Sequence, residues 1–138
     1  MNHTAKINFT GTWVFNSSKS ILQIPFPDST VFVIDHREPL LLLSRTHIIH
    51  GKSDTFELSL TTDGKEIVGQ HGGLHFRFRV NWDGESLIFE THITQGEDVG
   101  TNTVRYTLSA GGNVLVAEER LRSRDLNYDN RWILEKQR

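Results

Sequence analysis

The chain contains seven histidines, and histidine is the side chain that most often binds a transition metal. His47 and His50 are three residues apart on a predicted strand, so their side chains point to opposite faces of it. His71 and His75 flank the pair Gly72-Gly73, which is typical of a turn, and they share no metal-ligand spacing. The sequence therefore predicts no metal site and no cofactor.

Catalysis would require a nucleophile, or an acid and a base in defined positions. The chain has no cysteine, and it has no Gly-x-Ser-x-Gly turn of the kind that presents a nucleophilic serine. Glu90, His92 and Glu119 are available for acid-base chemistry, but none of them lies in a recognisable motif. We assign no catalytic residue, and an isomerase or hydrolase that uses an inward carboxylate remains an alternative function.

Glu119 is the most informative of these groups because it continues a row of core-facing residues, Leu115, Ala117 and Leu121. A carboxylate in such a row requires a cationic partner or the neutral form. Arg45 and His47, on a strand whose facing is left open, are the expected partners. The alternative is a bulge near Glu118 that returns Glu119 to water.

The elements that would position these groups are strands, because apolar residues recur at every second position and no 3.6-residue stripe is sustained. The clearest strand has Leu74, Phe76, Phe78, Val80 and Trp82 on one face. A turn is predicted at Glu38-Pro39, and residues 17–29 form a long connection with at most one helical turn. Strands are predicted near 11–17, 30–37, 40–50, 54–61, 65–71, 74–82, 87–95, 102–109, 114–124 and 127–136.

Three segments predict β-hairpins, because each has a Gly-containing turn pair between apolar residues at equal distances. They run from Leu60 to Ile67, from Val80 to Leu87 and from Leu108 to Leu115. Consecutive hairpins form a meander, and a meander hides its edges by closing. The predicted fold is all-β, an antiparallel up-and-down meander barrel of eight to ten strands, forming a single domain over residues 1–138.

Bulk properties exclude several classes of protein. A net charge of -2 and an isoelectric point near 6.4 argue against a nucleic-acid-binding surface. No apolar run approaches the ~20 residues of a membrane span. Residues 1–6 lack the apolar segment of a secretory signal, so the protein is cytosolic or an export signal has been removed, and the localisation stays open.

The segment Gly11-Thr12-Trp13 resembles the Gly-x-Trp opening of the calycin superfamily, which includes the lipocalins and fatty-acid-binding proteins. The closer resemblance is to small bacterial lipocalin-like domains, through Lys19-Ser20, Asp35-His36 with Pro39, the repeated hairpins and Glu135-Lys136-Gln137. The resemblance implies a ligand-binding barrel whose tryptophan closes one end. Residues 17–29 are too short and proline-rich for the two lid helices of fatty-acid-binding proteins, so a less covered cavity is expected.

Aromatic side chains on the presumed inner face define the predicted ligand site. The favoured function is non-covalent binding of a small apolar or amphipathic ligand in the barrel. A barrel filled by side chains, acting as an interaction or assembly module, is a second alternative. The predicted ligand-binding residues are Trp13, Phe15, Phe76, Phe78, Phe89, Tyr106, Glu119 and Trp132.

Four segments are apolar on both strand faces, although a monomeric barrel needs one apolar face. They are residues 31–34, 40–43, 114–117 and 132–134. A homodimer that covers the outer faces of these strands is therefore expected.

Overall fold

The computed structural model describes residues 7–138, in which ten strands account for most of the chain. Residues 1–6, on which the question of an export signal rests, lie outside this part. None of its helices is long and apolar enough to cross a membrane. The strands are β1 (Gly11–Phe15), β2 (Ser29–Arg37), β3 (Leu40–Ile49), β4 (Lys52–Thr61), β5 (Ile67–His71), β6 (Leu74–Asp83), β7 (Ser86–Gln95), β8 (Asp98–Ser109), β9 (Val114–Ser123) and β10 (Asn127–Lys136).

All ten strands belong to one antiparallel sheet that runs from β4 through β3, β2, β1, β10, β9, β8, β7 and β6 to β5. The sheet curls into a nearly closed up-and-down barrel, because β1 pairs with both β2 and β10. The two edge strands, β4 and β5, are not hydrogen-bonded to each other. The predicted all-β barrel of eight to ten strands is thus confirmed, with a gap between β4 and β5.

The predicted hairpin from Leu60 to Ile67 is wrong, because its two flanking strands are the unpaired edges. The Asp63 carboxylate accepts hydrogen bonds from the Thr61 hydroxyl and the Lys65 amide, so the turn is complete without strand pairing. The Gly64 amide donates to the Val80 carbonyl at 2.9 Å. This turn is therefore held by β6, and β4 and β5 are free to diverge.

The other two predicted hairpins form. Leu108 lies opposite Leu115, as expected. In the hairpin of β6 and β7, however, Leu87 lies opposite Trp82 rather than Val80. The turn consists of Gly84 and Glu85, with Gly84 at φ +61, the position that a two-residue hairpin turn gives to glycine. The sequence leaves two registers open for this hairpin, with either Arg77 or Arg79 opposite Glu90, and the structure has Arg79 opposite Glu90.

One end of the barrel is closed around Trp13, which is fully buried. Its indole nitrogen donates to the Phe9 carbonyl at 3.0 Å. The Lys136 ammonium lies 5.8 Å from the centre of the indole ring, at cation–π distance. A Cβ on Gly11 would lie 3.1 Å from the Lys136 side chain and 3.3 Å from the indole nitrogen, so glycine leaves the room that this contact needs.

A hydrogen-bonded group around Glu38 lies at the same end. Its carboxylate accepts from His36 at 3.0 Å, from the Thr62 hydroxyl at 2.7 Å and from the Trp82 indole at 2.8 Å. His36 Nδ1 accepts from the Phe9 amide, so the ring proton lies on Nε2 and faces Glu38. Burial opposes ionisation of Glu38, but these hydrogen bonds outweigh it and hold the pKa of the carboxyl below its usual range.

The long connection between β1 and β2 contains the single predicted helical turn, a 3-10 turn at Ser17–Lys19. After it, Ile21 forms an isolated antiparallel bridge with Arg131 of β10. The Ser20 hydroxyl accepts a hydrogen bond from the Ile133 amide, and the Ile133 side chain is buried. The outer face of β10 is therefore partly covered by this connection.

Candidate functional site

Strand register places a set of polar side chains inside the barrel. Arg45 of β3 lies between Phe32 of β2 and Phe56 of β4, and all three share the inner face. The Arg45 guanidinium carbon is 5.9 Å from the centre of each ring. Two residues along, His47 lies on the same face. The sequence left open which face of this strand points inward, and the structure shows that Arg45 and His47 both do.

Glu119 also points inward, because β9 keeps a regular register with both neighbours and has no bulge at this position. One carboxylate oxygen accepts from the Asn130 amide and the Trp132 indole, both at 2.9 Å. The other oxygen accepts from the Asn102 amide at 2.9 Å. The expectation that Arg45 or His47 would bind Glu119 is therefore corrected: among the described residues, its hydrogen-bond donors are three neutral N–H groups.

Three further groups beside the charged Arg45 and Glu119 are neutral near pH 7, namely His47, Tyr106 and Tyr128. Burial, reinforced by the Arg45 charge, lowers the pKa of His47 below its ordinary value. Its Nδ1 lies 2.7 Å from the Thr30 hydroxyl. Burial raises the pKa of Tyr106 to about 12, and burial with the nearby Glu119 charge raises that of Tyr128 to about 12. Both phenols therefore remain protonated and can donate hydrogen bonds.

A cavity of about 410 Å³ lies within the barrel beside these groups. One part of its wall is aromatic and aliphatic. The other part is polar and carries Arg45, His47 and Asn102. A void of about 40 Å³ adjoins it on the side of Glu119 and Trp132. The apolar wall of the larger cavity consists of Phe56, Leu74, Phe76, Phe78, Phe89, Ile93, Val104 and Tyr106.

Six of the eight predicted site residues are brought together. Phe76, Phe78, Phe89 and Tyr106 line the cavity, and Glu119 and Trp132 line the adjoining void together with Tyr106. The remaining two lie elsewhere. Trp13 is buried in the closed end, and Phe15 packs against the Phe26 and Trp132 rings at tilted angles, outside the cavity wall.

Sequence reasoning missed two asparagines that orient Glu119. Asn130 lies directly opposite Glu119 across β9 and β10, so a correct register for that hairpin would have identified it. Asn102 lies opposite Leu121, diagonally from Glu119, and no motif marks it. Phe56, whose inward facing the alternation does predict, was missing from the predicted site.

The gap between β4 and β5 lies next to the cavity. Across it, His71 Nε2 is 2.9 Å from an Asp54 carboxylate oxygen. The His71 ring also stacks on Phe56 with centroids 4.6 Å apart and planes inclined by 9°. Asp54 and Phe56 both line the cavity, so this contact lies at the cavity wall, beside the gap.

Within residues 7–138, no group of three or more histidine and carboxylate side chains could hold a metal ion.

Comparison with known proteins supports the fold alone. No protein-family model matches the chain, and no curated protein matches it significantly. The crystal structure of secretory abundant heat soluble protein 4 from Ramazzottius varieornatus is similar, with a TM-score of 0.66, 20% identity and coverage of 100% of both chains. Zebrafish ileal bile acid-binding protein complexed with cholic acid gives a TM-score of 0.60 at 17% identity, covering 94% of this chain and 98% of that one.

A third similar structure is a mutant of the REP1-NXSQ fatty acid transporter, with a TM-score of 0.57 at 13% identity, covering 93% of this chain and 97% of that one. These structures share the barrel architecture that the sequence predicts. The expected likeness to fatty-acid-binding-protein and lipocalin-like barrels is thus confirmed at the level of fold.

Proposed function

We propose that this protein reversibly binds a small amphipathic molecule inside the barrel. The observation that carries the proposal is the cavity of about 410 Å³, with a wall that is aromatic on one side and polar on the other. Its volume lies in the range of about 300–1,000 Å³ that is typical of small-molecule sites. An apolar wall stabilises the body of a ligand, and a few polar groups orient its head.

The site favours binding over the two alternative functions. A filled barrel that acts through its outer surface would not need an open interior with ionised groups. Catalysis by Glu119 is disfavoured because three donors already occupy its carboxylate oxygens, and a proton acceptor needs a free oxygen facing the substrate. Two of the similar structures are a bile acid-binding protein complexed with cholic acid and a fatty acid transporter. Cholic acid and fatty acids are amphipathic, which agrees with the proposed ligand class.

A matched pair of substitutions on β7 tests the proposal. Thr91 lines the cavity, whereas Thr94 is exposed on the outer face of the same strand. Thr91→Phe would fill part of the cavity, and Thr94→Phe would add the same ring outside. Binding is measured by titration with the fluorescent amphipath 1-anilinonaphthalene-8-sulfonate. We expect Thr91→Phe to weaken its affinity by about tenfold or more, and Thr94→Phe to change it by less than about twofold.

Equal affinities for the two variants would place the dye outside the barrel and contradict the proposal. Native mass spectrometry of protein purified from its source cell gives an independent test, because a bound molecule would appear as a discrete mass increment. If the protein carries no such increment and the wild type does not bind the dye, the proposed function is wrong.

We also propose that the protein forms a homodimer through the outer face of β2 and β3. Val33 is 48% exposed there. It lines a surface groove with Leu42, whose side chain is half-buried. Exposed apolar side chains that adjoin one another favour association. Membership of the small bacterial lipocalin-like domains likewise stays a prediction, supported by the motifs around Trp13 and by the shared fold.

A further inference from the structure

We infer that the cavity selects amphipathic anions that also carry a hydroxyl group near the head, over plain fatty acids and over neutral alcohols. This inference rests on the proposed binding function and specifies the chemistry of the ligand head. It follows from two buried polar atoms of residues that line the cavity, Arg45 Nε and Asn102 Oδ1, which have no hydrogen-bond partner within residues 7–138.

Arg45 supplies the positive charge. Within the described part of the chain it forms no ion pair with a carboxylate, and its guanidinium packs against the Phe32 and Phe56 rings instead. Ring faces stabilise a cation but accept no N–H hydrogen bond along the guanidinium plane. Arg45 is half-buried, but its Nε–H donor is buried and unsatisfied, which is costly, and an anionic oxygen in the cavity would relieve that cost.

Asn102 supplies a neutral acceptor, and Glu119 fixes its orientation. An ionised carboxylate accepts hydrogen bonds only, so the Asn102 NH₂ group must face Glu119. The amide oxygen is then on the side away from Glu119, and it is buried with no hydrogen-bond partner in the described part of the chain. Since Asn102 lines the cavity, a donor group on a bound ligand can satisfy this oxygen. The carboxylate of Glu119 thus acts on the ligand indirectly, through the asparagine.

The two atoms together define a ligand head group that accepts a hydrogen bond from Arg45 and donates a hydrogen bond to Asn102. A plain carboxylate satisfies Arg45 and leaves the Asn102 oxygen unsatisfied. An alcohol can donate to Asn102 but gives Arg45 no counter-charge. A hydroxy acid does both, and sites built around a buried hydrogen bond discriminate strongly against ligands that lack the matching group.

The test compares dodecanoic acid, 2-hydroxydodecanoic acid, 3-hydroxydodecanoic acid and 1-dodecanol by isothermal titration calorimetry or by displacement of the dye. The wild type is expected to bind at least one hydroxy acid about tenfold more tightly than dodecanoic acid, because one buried acceptor becomes satisfied. Dodecanol is expected to bind more weakly than dodecanoic acid. These comparisons use the wild type alone, so they do not depend on a variant that folds.

Substitutions then test whether Asn102 causes the preference for a hydroxyl group and whether Arg45 causes the preference for an anion. Asn102→Leu is expected to abolish the hydroxyl preference and to leave the affinity for dodecanoic acid within about threefold. Arg45→Met is expected to weaken both kinds of acid and to leave dodecanol unchanged. Asn130→Leu is the matched control, because it also removes a donor from Glu119 while keeping the Asn102 oxygen in the cavity. It should keep the hydroxyl preference.

The outcomes separate the two proposals. If all acids bind equally, or if the hydroxyl preference survives Asn102→Leu, the inference about the head group is wrong and the binding function stands. If none of the four molecules binds and the dye does not bind either, the proposed function is wrong, and the inference is wrong with it.

Discussion

Trp13 supports the closed end of the barrel, and its truncation should be among the most damaging single changes in the chain. Its side chain is 0% exposed, and it packs with Phe9 in the main core cluster. Replacing a large buried aromatic by alanine costs about 3–5 kcal/mol. This range includes the lost hydrogen bond to the Phe9 carbonyl, worth about 1 kcal/mol, and the lost contact with Lys136.

The measurement is urea unfolding of wild type and Trp13→Ala, followed by far-ultraviolet circular dichroism. We expect the free energy of unfolding to fall by about 3–5 kcal/mol, which corresponds to a melting temperature lower by about 10–20 °C. Trp13→Phe keeps most of the ring volume and removes the indole donor, so a smaller loss of about 1–2 kcal/mol is expected. Because Trp13 does not line the cavity, dye affinity should be unchanged wherever the variants remain folded. A Trp13→Ala loss below about 1 kcal/mol would refute the role of this residue as the plug of the barrel.

Four other expectations follow from the described contacts. Folding lowers the pKa of Glu38, so its contribution to the free energy of unfolding is present above the ordinary value of 4.5 and is lost as the pH falls through the lower folded value. Because the Glu38 side chain is 36% exposed, we expect this contribution to be less than about 1 kcal/mol. In Glu38→Gln, the free energy of unfolding should therefore depend less on pH in the acid range than in the wild type. The pKa of His47 is also lowered, so folded His47 should titrate below 6.5 by NMR and stability should decrease as the pH falls below 6.5; titration at or above 6.5 would contradict its burial. Asp54→Ala should lower the free energy of unfolding by less than about 1 kcal/mol, because the Asp54 side chain is 65% exposed. It should nevertheless speed dye association measured by stopped flow, because it removes the contact with His71 across the gap. An unchanged rate would mean that the gap is not the entry route. The proposed dimer should appear in sedimentation velocity at tens of micromolar and dissociate in Val33→Lys, whereas a wild-type monomer at that concentration would contradict it.

The strands were predictable because a pleated sheet that is buried on one side requires apolar and polar residues to alternate along each strand. The row from Leu74 to Trp82 lies on the inner face as the pattern indicates, and Glu119 is inward because it continues the phase of Leu115 and Ala117. Local turn chemistry also identified the bend at Glu38-Pro39 and the pairing of Leu108 with Leu115. These features depend on neighbouring residues alone.

Pairing partners were predictable only where a turn fixes them. The Asp63-Gly64 pair has the residues of a hairpin turn, but its hydrogen bonds are made within the turn and to the Val80 carbonyl. The local sequence therefore does not indicate that β4 and β5 separate. The gap results from closure of the whole sheet, in which β1 meets β10 across more than a hundred residues. Such closure is a property of the assembled sheet, and the local sequence does not encode it.

The polar part of the site was predictable only in outline, for the same reason. Arg45 and His47 could be proposed as inner groups, but their facing depends on the register of β3 against β2. The donors to Glu119 are asparagines, which are common in loops and on strand surfaces and so carry no signal by type. Their role arises from cross-strand neighbours, which only the folded sheet defines.

The gap between β4 and β5 is a position at which the chain could be opened in a circular permutant. Gln137 donates a backbone hydrogen bond to Thr12, so the two ends of the barrel sequence lie side by side. A circular permutant that keeps residues 7–138, joins their ends by a linker and opens between Thr61 and Ile67 would break no pairing between the ten strands. Its strands would then follow one another in the order β5 to β10 and β1 to β4, which is the spatial order of the sheet from edge to edge. Every paired strand would be a sequence neighbour, and the lower contact order should let the permutant fold faster than the natural arrangement.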